Sequence, residues 1–202
     1  MFNGKLNRVQ VDPALQNRVN AYNKYGGWGS QCNAVTEFKT TIKPLLIKNQ
    51  SGLCAYCGLD FNDGIRQIHM DHIANKANHT TVIYNPDNLV CSCPRCNMDF
   101  KEDIETVTNC TSSDYSKWEF NIVHPYFDDP ADFFEYDYIT PGFIRNKKGI
   151  NDVNRRKAIN TIRLFELDSD YLLSKRKEKM FYNSVPKSIS DIIIKISRYK
   201  RR

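Results

Sequence analysis

Cys54-Ala55-Tyr56-Cys57, Asp71-His72 and Cys93-Pro94-Arg95-Cys96-Asn97 fall within the 44 residues from 54 to 97 and decide the reading of this 202-residue chain. A Cys-x-x-Cys knuckle presents two thiolates from one tight turn. Two such knuckles, here Cys54, Cys57, Cys93 and Cys96, complete a tetrahedral zinc site with no open coordination position, a structural rather than a catalytic one. The 35 residues between the pairs exceed the spacing of a simple zinc ribbon, so the gap must itself fold. It carries Asp71 and His72.

Working outward, Gln67–Ile73 reads as a strand, and residues 74–87 as a polar loop turning at Asn85-Pro86-Asp87. Leu89–Ser92 reads as a second strand, and a helix is expected to open near Pro94, a residue tolerated in a first turn. Upstream, Val35, Phe38, Ile42, Leu45 and Leu46 follow helical spacing. Pro44 is expected to kink or restart that helix, and Ser51-Gly52 to stop it. Residues 1–34 are polar and irregular; Gly26-Gly27-Trp28-Gly29 marks a loop there, and the sequence assigns it no role.

Beyond Gly149 the chain turns helical. Ala158, Ile162 and Phe165 form one stripe, and Leu172, Leu173, Met180 and Phe181 a second. Ser188 with Asp191 reads as a capping box for a third helix with Ile189, Ile192, Ile193, Ile196 and Tyr199 on its apolar face.

Composition narrows the function classes. A hydrophobic fraction of 41% supports a core, and the apolar runs are too short to span a membrane. The N-terminal stretch lacks the apolar segment of a secretory signal, so the expectation is a soluble, cytoplasmic chain. Seven cysteines, four of them in two Cys-x-x-Cys pairs, favour metal over disulfides in a reducing compartment. Cys91 reads as a small buried hydrophobe, and Cys32 and Cys110 as structural or incidental.

Charge is segregated. Residues 1–98 carry 10 Lys/Arg against 6 Asp/Glu, residues 99–140 carry 2 against 11, and residues 141–202 carry 17 against 6. A basic C-terminal third fits a phosphate-rich partner such as DNA, although charge runs are more often solvated helix faces.

Phosphodiester hydrolysis needs a deprotonated water in line with the leaving group and positive charge for the crowded phosphate. A neutral imidazole takes the water's proton, and a hard divalent cation on oxygen ligands stabilises the developing charge. His72 is the candidate base, with Asp71 and Asn97 as oxygen ligands. Taken singly, an Asp-His pair is common and Asn97 could cap a helix. His69 shares a strand face with Asp71 but reads first as a packed or surface histidine; His79 lies on a loop that could approach DNA; His124 has no assigned chemistry.

The order Cys-x-Tyr-Cys, a hydrophobic-Asp71-His72-hydrophobic strand, Asn88-Leu89-Val90 and Cys-x-x-Cys-Asn97 resembles the HNH nucleases over residues 53–101. The resemblance implies an α+β fold with a small ββα-metal core, stapled by zinc and embedded in a mostly helical chain. It implies His72 as general base and Asp71 and Asn97 as ligands of a catalytic Mg2+ or Mn2+. Asn88 becomes the residue that ties the loop and orients the base. Two positions depart from the family: Asn75 stands where proline is frequent, and Lys101 lies four rather than three residues beyond Asn97.

Weaker likenesses extend outward. Lys76, His124-Pro125-Tyr126-Phe127-Asp128-Asp129-Pro130 and Ala158-x-x-Thr161-Ile162 resemble the HNH proteins of the Septu and retron anti-phage systems, the PtuB type, which act beside an ATPase partner. The expected organisation is an N-terminal loop and lead-in helix (1–50), a nuclease core (51–105), an acidic aromatic-rich connection (106–148) and a basic helical region (149–202). The expected function is a metal-dependent DNA endonuclease of anti-phage defence. A stand-alone restriction enzyme for modified DNA shares that chemistry, and the rival from another class is a non-catalytic zinc module that binds nucleic acid or a partner.

Overall fold

A computed structural model describes residues 4–22, 27–62 and 67–199, with side chains through Ile193. Its elements are short and mixed, an α+β chain of helices around two-stranded antiparallel sheets. Helix α1 (Pro13–Tyr22) packs on α2 (Asn33–Asn49), which buries Val35, Phe38, Ile42 and Leu46 on one face. Pro44 does not restart α2, which runs unbroken to Asn49. Ser51 and Gly52 follow with positive φ and end it as expected.

Strands β1 (His69–His72) and β2 (Leu89–Ser92) pair antiparallel, Asp71 opposite Val90 and His72 opposite Leu89. The observed β1 is shorter than the expected Gln67–Ile73, because only four residues find partners on β2. A helical segment, Arg95–Lys101, follows β2 directly, so strand, loop, strand and helix come in the expected order. That segment is a π-helix: the Glu102 N–H donates to the Asn97 carbonyl, five residues back, at 2.9 Å.

Gln50 anchors this unit to α2. Fully buried, its amide accepts from Cys91 N–H and donates to the Cys91 carbonyl, both at 2.7 Å, so a side chain pairs the free edge of β2 as a strand would.

Residues 106–148 contain two further hairpins, β3 (Val107–Asn109) with β4 (Glu119–Phe120) and β5 (Phe134–Tyr136) with β6 (Ile144–Asn146), and two helical turns, a 3-10 turn at Tyr115–Lys117 and α3 (Pro130–Phe133). Tyr115, Phe120, Ile122, Val123 and Tyr126 from this stretch join the same core as α2 and β2.

Helices α4 (Asp152–Leu164), α5 (Asp170–Ser184) and α6 (Lys187–Tyr199) close the chain. α6 begins at Lys187, so Ser188 lies inside its first turn instead of capping it. Ile189 and Ile192 on its apolar side are exposed. The side chains of Lys195, Arg198, Lys200, Arg201 and Arg202, to which the phosphate-binding expectation applies, lie outside the described residues. Among the described residues, no helix is long and apolar enough to cross a membrane.

Candidate functional site

The two knuckles meet. The Sγ atoms of Cys54, Cys57, Cys93 and Cys96 lie within 4.8 Å of one another, all buried. Cys57 and Cys93 are 3.8 Å apart, and thiolates at about 2.3 Å on a tetrahedral zinc are about 3.8 Å apart. Gly58 (φ +72°) closes the first turn, its N–H on the Cys54 carbonyl at 3.0 Å. The Cys93 N–H points at Cys54 Sγ at 3.4 Å, a donor suited to a thiolate. Cys91 stays outside the cluster: it is fully buried, and burial pushes its thiol up to about 12, the behaviour of an inert core cysteine.

One face of β1 meets one face of the π-helix in two rungs. His69 Nδ1 lies 3.0 Å from the Asn97 amide, and Lys101 Nζ lies 3.5 Å from Asp71 Oδ2. Lys101 also donates to the His72 carbonyl at 2.7 Å. Asn97 and Lys101, four positions apart, share the face of this helical segment that meets β1. Lys101 is 1% exposed, so it braces the end of β1 from inside the fold.

Asp71 is 6% exposed and accepts the Tyr56 hydroxyl at 2.5 Å, also on Oδ2. Tyr56, the aromatic residue of the first knuckle, is held by stacking on Phe165 at 4.2 Å. Burial pushes the Asp71 carboxyl up, while the Lys101 ammonium and the Tyr56 hydroxyl pull it back. Both of these contacts fall on Oδ2, and the His72 backbone N–H also supports the carboxylate.

His72, the last residue of β1, turns away from these rungs. Its Nε2 lies 3.1 Å from the Ile83 carbonyl, which fixes the proton on Nε2 and leaves Nδ1 with a lone pair. Trp28 meets the ring edge-on at 4.5 Å. Burial, with the Lys76 charge adding to it, pushes His72 from its ordinary 6.5 down to about 3. The imidazole is therefore neutral throughout the physiological range, with far lower proton affinity than the sequence alone suggests.

Asn88, fully buried, ties the intervening loop. Its Oδ1 accepts the Ala74 N–H at 2.7 Å, and its Nδ2 donates to the Ala74 and Val82 carbonyls at 3.3 and 3.1 Å. The Tyr115 hydroxyl donates to the same Oδ1 at 2.7 Å, and His124 Nε2 lies 3.3 Å from that hydroxyl. Residues 122–128 lean on α4 through Val123 N–H to Thr161 Oγ1 at 2.8 Å and an Asp128–Lys157 ion pair. The outer motifs thus pack on one another and, through Tyr115, on Asn88.

The structure brings His72 and Asp71 to one strand end, with Asn88 behind the following loop. Asn97 reaches the same helix–strand interface but turns its amide to His69. His79 pairs with Glu105 at 2.9 Å. Sequence reasoning missed Trp28, Tyr56 and Tyr115. Tyr56 was visible as the aromatic of the knuckle, whereas Trp28 and Tyr115 reach the site only through tertiary contacts.

The HNH endonuclease family model matches residues 54–99. That HNH segment holds both knuckles, Asp71, His72, Asn88 and Asn97, and it supports a nuclease-type activity on nucleic acid. HNH nucleases use divalent metals, and the four-cysteine cluster fits zinc. No curated protein matches the chain.

Proposed function

We propose that the chain is a metal-dependent DNA endonuclease of one-cation type, acting in anti-phage defence beside an ATPase partner. The observation that carries the reading is the imidazole of His72, held at Nε2 by the Ile83 carbonyl so that Nδ1 keeps its lone pair, one residue from the buried carboxylate of Asp71. A general base requires a neutral ring that keeps a lone pair on one nitrogen while the other is anchored.

In the proposed reaction, His72 Nδ1 takes the proton of a water as that water attacks phosphorus in line, and the opposite P–O bond breaks. The ring is neutral at physiological pH, as a base must be, and an anionic phosphodiester beside it would raise its proton affinity by favouring the imidazolium that forms. Asp71 Oδ1 and Asn97 Oδ1 are oxygen donors suited to Mg2+ or Mn2+. When bound, the cation supplies charge for the phosphate and the departing oxygen. Lys101 fixes Asp71 and the His72 carbonyl relative to each other, and Asn88 fixes the loop that presents Ile83.

Supercoiled-plasmid nicking with added Mg2+ or Mn2+, with and without the proposed ATPase partner and its nucleotide, tests the reading. His72→Ala is expected to lose about two to four orders of magnitude in cleavage rate while zinc content and DNA affinity hold. Unchanged cutting by His72→Ala overturns the mechanism. A wild type that binds DNA firmly and never cuts is instead the non-catalytic zinc module.

A further inference from the structure

His69 has no part in the proposed reaction, yet its Nδ1 lies 3.0 Å from the amide of Asn97, a proposed cation ligand. It stands two residues before Asp71 on β1, on the same face of the strand. Its other nitrogen, Nε2, lies 3.4 Å from Gln67 Oε1, an acceptor for the ring proton. The ring is therefore set as the tautomer with a lone pair on Nδ1, directed at Asn97.

As placed, the Asn97 amide nitrogen fills that lone pair. Rotating the amide end for end leaves its shape unchanged and puts Oδ1 against Nδ1. Two lone pairs then face each other, which is unfavourable unless a cation lies between them. The spacing suits one: adjacent donors about 2.1 Å from an octahedral divalent ion are about 3.0 Å apart. An acceptor on the far ring nitrogen is the usual companion of a metal-bound imidazole, since it fixes tautomer and orientation.

Resting on the proposed cation site of Asp71 and Asn97, we infer that His69 is a third protein ligand of that cation, oriented by Gln67. One nitrogen among oxygen donors changes the preference of the site. Imidazole favours Ni2+ and Co2+ strongly and adds little for Mg2+, which prefers oxygen. The site then takes borderline first-row ions more tightly than an all-oxygen pair would.

Calorimetric titration of the untagged, zinc-loaded chain with Ni2+ and separately with Mg2+ tests this. His69→Ala is expected to weaken Ni2+ binding by at least about tenfold and Mg2+ binding much less. His69→Gln, which keeps a side-chain oxygen there, is expected to hold Mg2+ while losing the Ni2+ preference. In the Ni2+-loaded wild type, a paramagnetically shifted imidazole N–H proton resonance is expected, and in His69→Gln it disappears. Unchanged Ni2+ affinity in both variants, or equal losses of both ions, overturns the assignment of His69. A wild type that binds neither ion beyond its zinc overturns this inference and the cation-dependent reaction together. Cleavage at the wild-type rate by His69 variants with unchanged Ni2+ affinity overturns only the inference.

Discussion

The Tyr115 hydroxyl donates to Asn88 Oδ1 at 2.7 Å, from a residue 27 positions away and outside the HNH segment. Asn88 Oδ1 also accepts the Ala74 N–H, so one oxygen joins the loop after His72 to the hairpin that carries Tyr115. His124 completes the chain from behind, stacked on Phe127 at 4.1 Å and with Nδ1 accepting the Tyr126 N–H at 3.2 Å. Tyr115→Phe removes one hydroxyl and keeps the ring. The expected cost is about 1–2 kcal/mol in chemical denaturation, with cleavage slowed at unchanged DNA affinity and zinc content. Full activity in Tyr115→Phe would limit this hydrogen bond to a packing role.

Zinc and folding are expected to be inseparable. Cys93→Ser should lose the metal and the cooperative unfolding transition, because ligand binding supplies folding free energy. Cys91→Ser should keep one zinc per chain and lose about 1–3 kcal/mol for burying a hydroxyl in an apolar site. Elemental analysis and thermal melts of the two variants separate ligand from neighbour; the reverse pattern would reassign the fourth thiolate.

Burial of His72 makes a prediction about acid stability. Its folded pKa of about 3 lies below the ordinary 6.5, so the unfolded chain binds the proton more readily. The neutral ring's contribution is complete above about pH 6.5 and is lost as pH falls toward the folded value. Within that window the slope approaches about 1.4 kcal/mol per pH unit. His72→Gln, able to donate to the Ile83 carbonyl without titrating, should show a shallower decline in urea melts. Parallel curves for the two proteins would refute the assignment.

Trp28 shields that ring from solvent. Trp28→Ala is expected to raise the His72 pKa by about one unit or more, read from the histidine Cε1–H resonance across a pH titration. No change would mean that the remaining packing, not the indole edge, sets the proton affinity.

The basic C-terminal third, where Lys175, Lys177 and Lys179 lie on α5, is expected to supply much of the DNA affinity. Removing residues 195–202 should weaken binding and reduce the slope of log affinity against log salt by about 0.9 for each phosphate that is no longer neutralised. An unchanged slope assigns the tail to solvent or to a protein partner.

The sequence by itself determined the two cysteine knuckles, the strand–loop–strand–helix order and the pairing of Asp71 with His72. Each rests on residues whose spacing is set by local geometry: a knuckle turn, a strand period, a proline that opens a helix. The role of Asn88 as loop tie was legible for the same reason, since the family resemblance places it within one local unit.

What only the tertiary structure decided lies at contacts between distant segments. Lys101 reads from spacing as one residue out of place, yet in the fold it reaches Asp71 and the His72 carbonyl. His69 reads as an ordinary strand histidine until the helix that carries Asn97 lies against it. The proton affinity of His72 depends on how completely the fold removes water around the ring, on the Lys76 charge and on the Ile83 carbonyl, and Trp28, 44 positions earlier, packs on that ring. Desolvation is a property of the packed whole, so residue identity fixed which groups can titrate and packing alone fixed where.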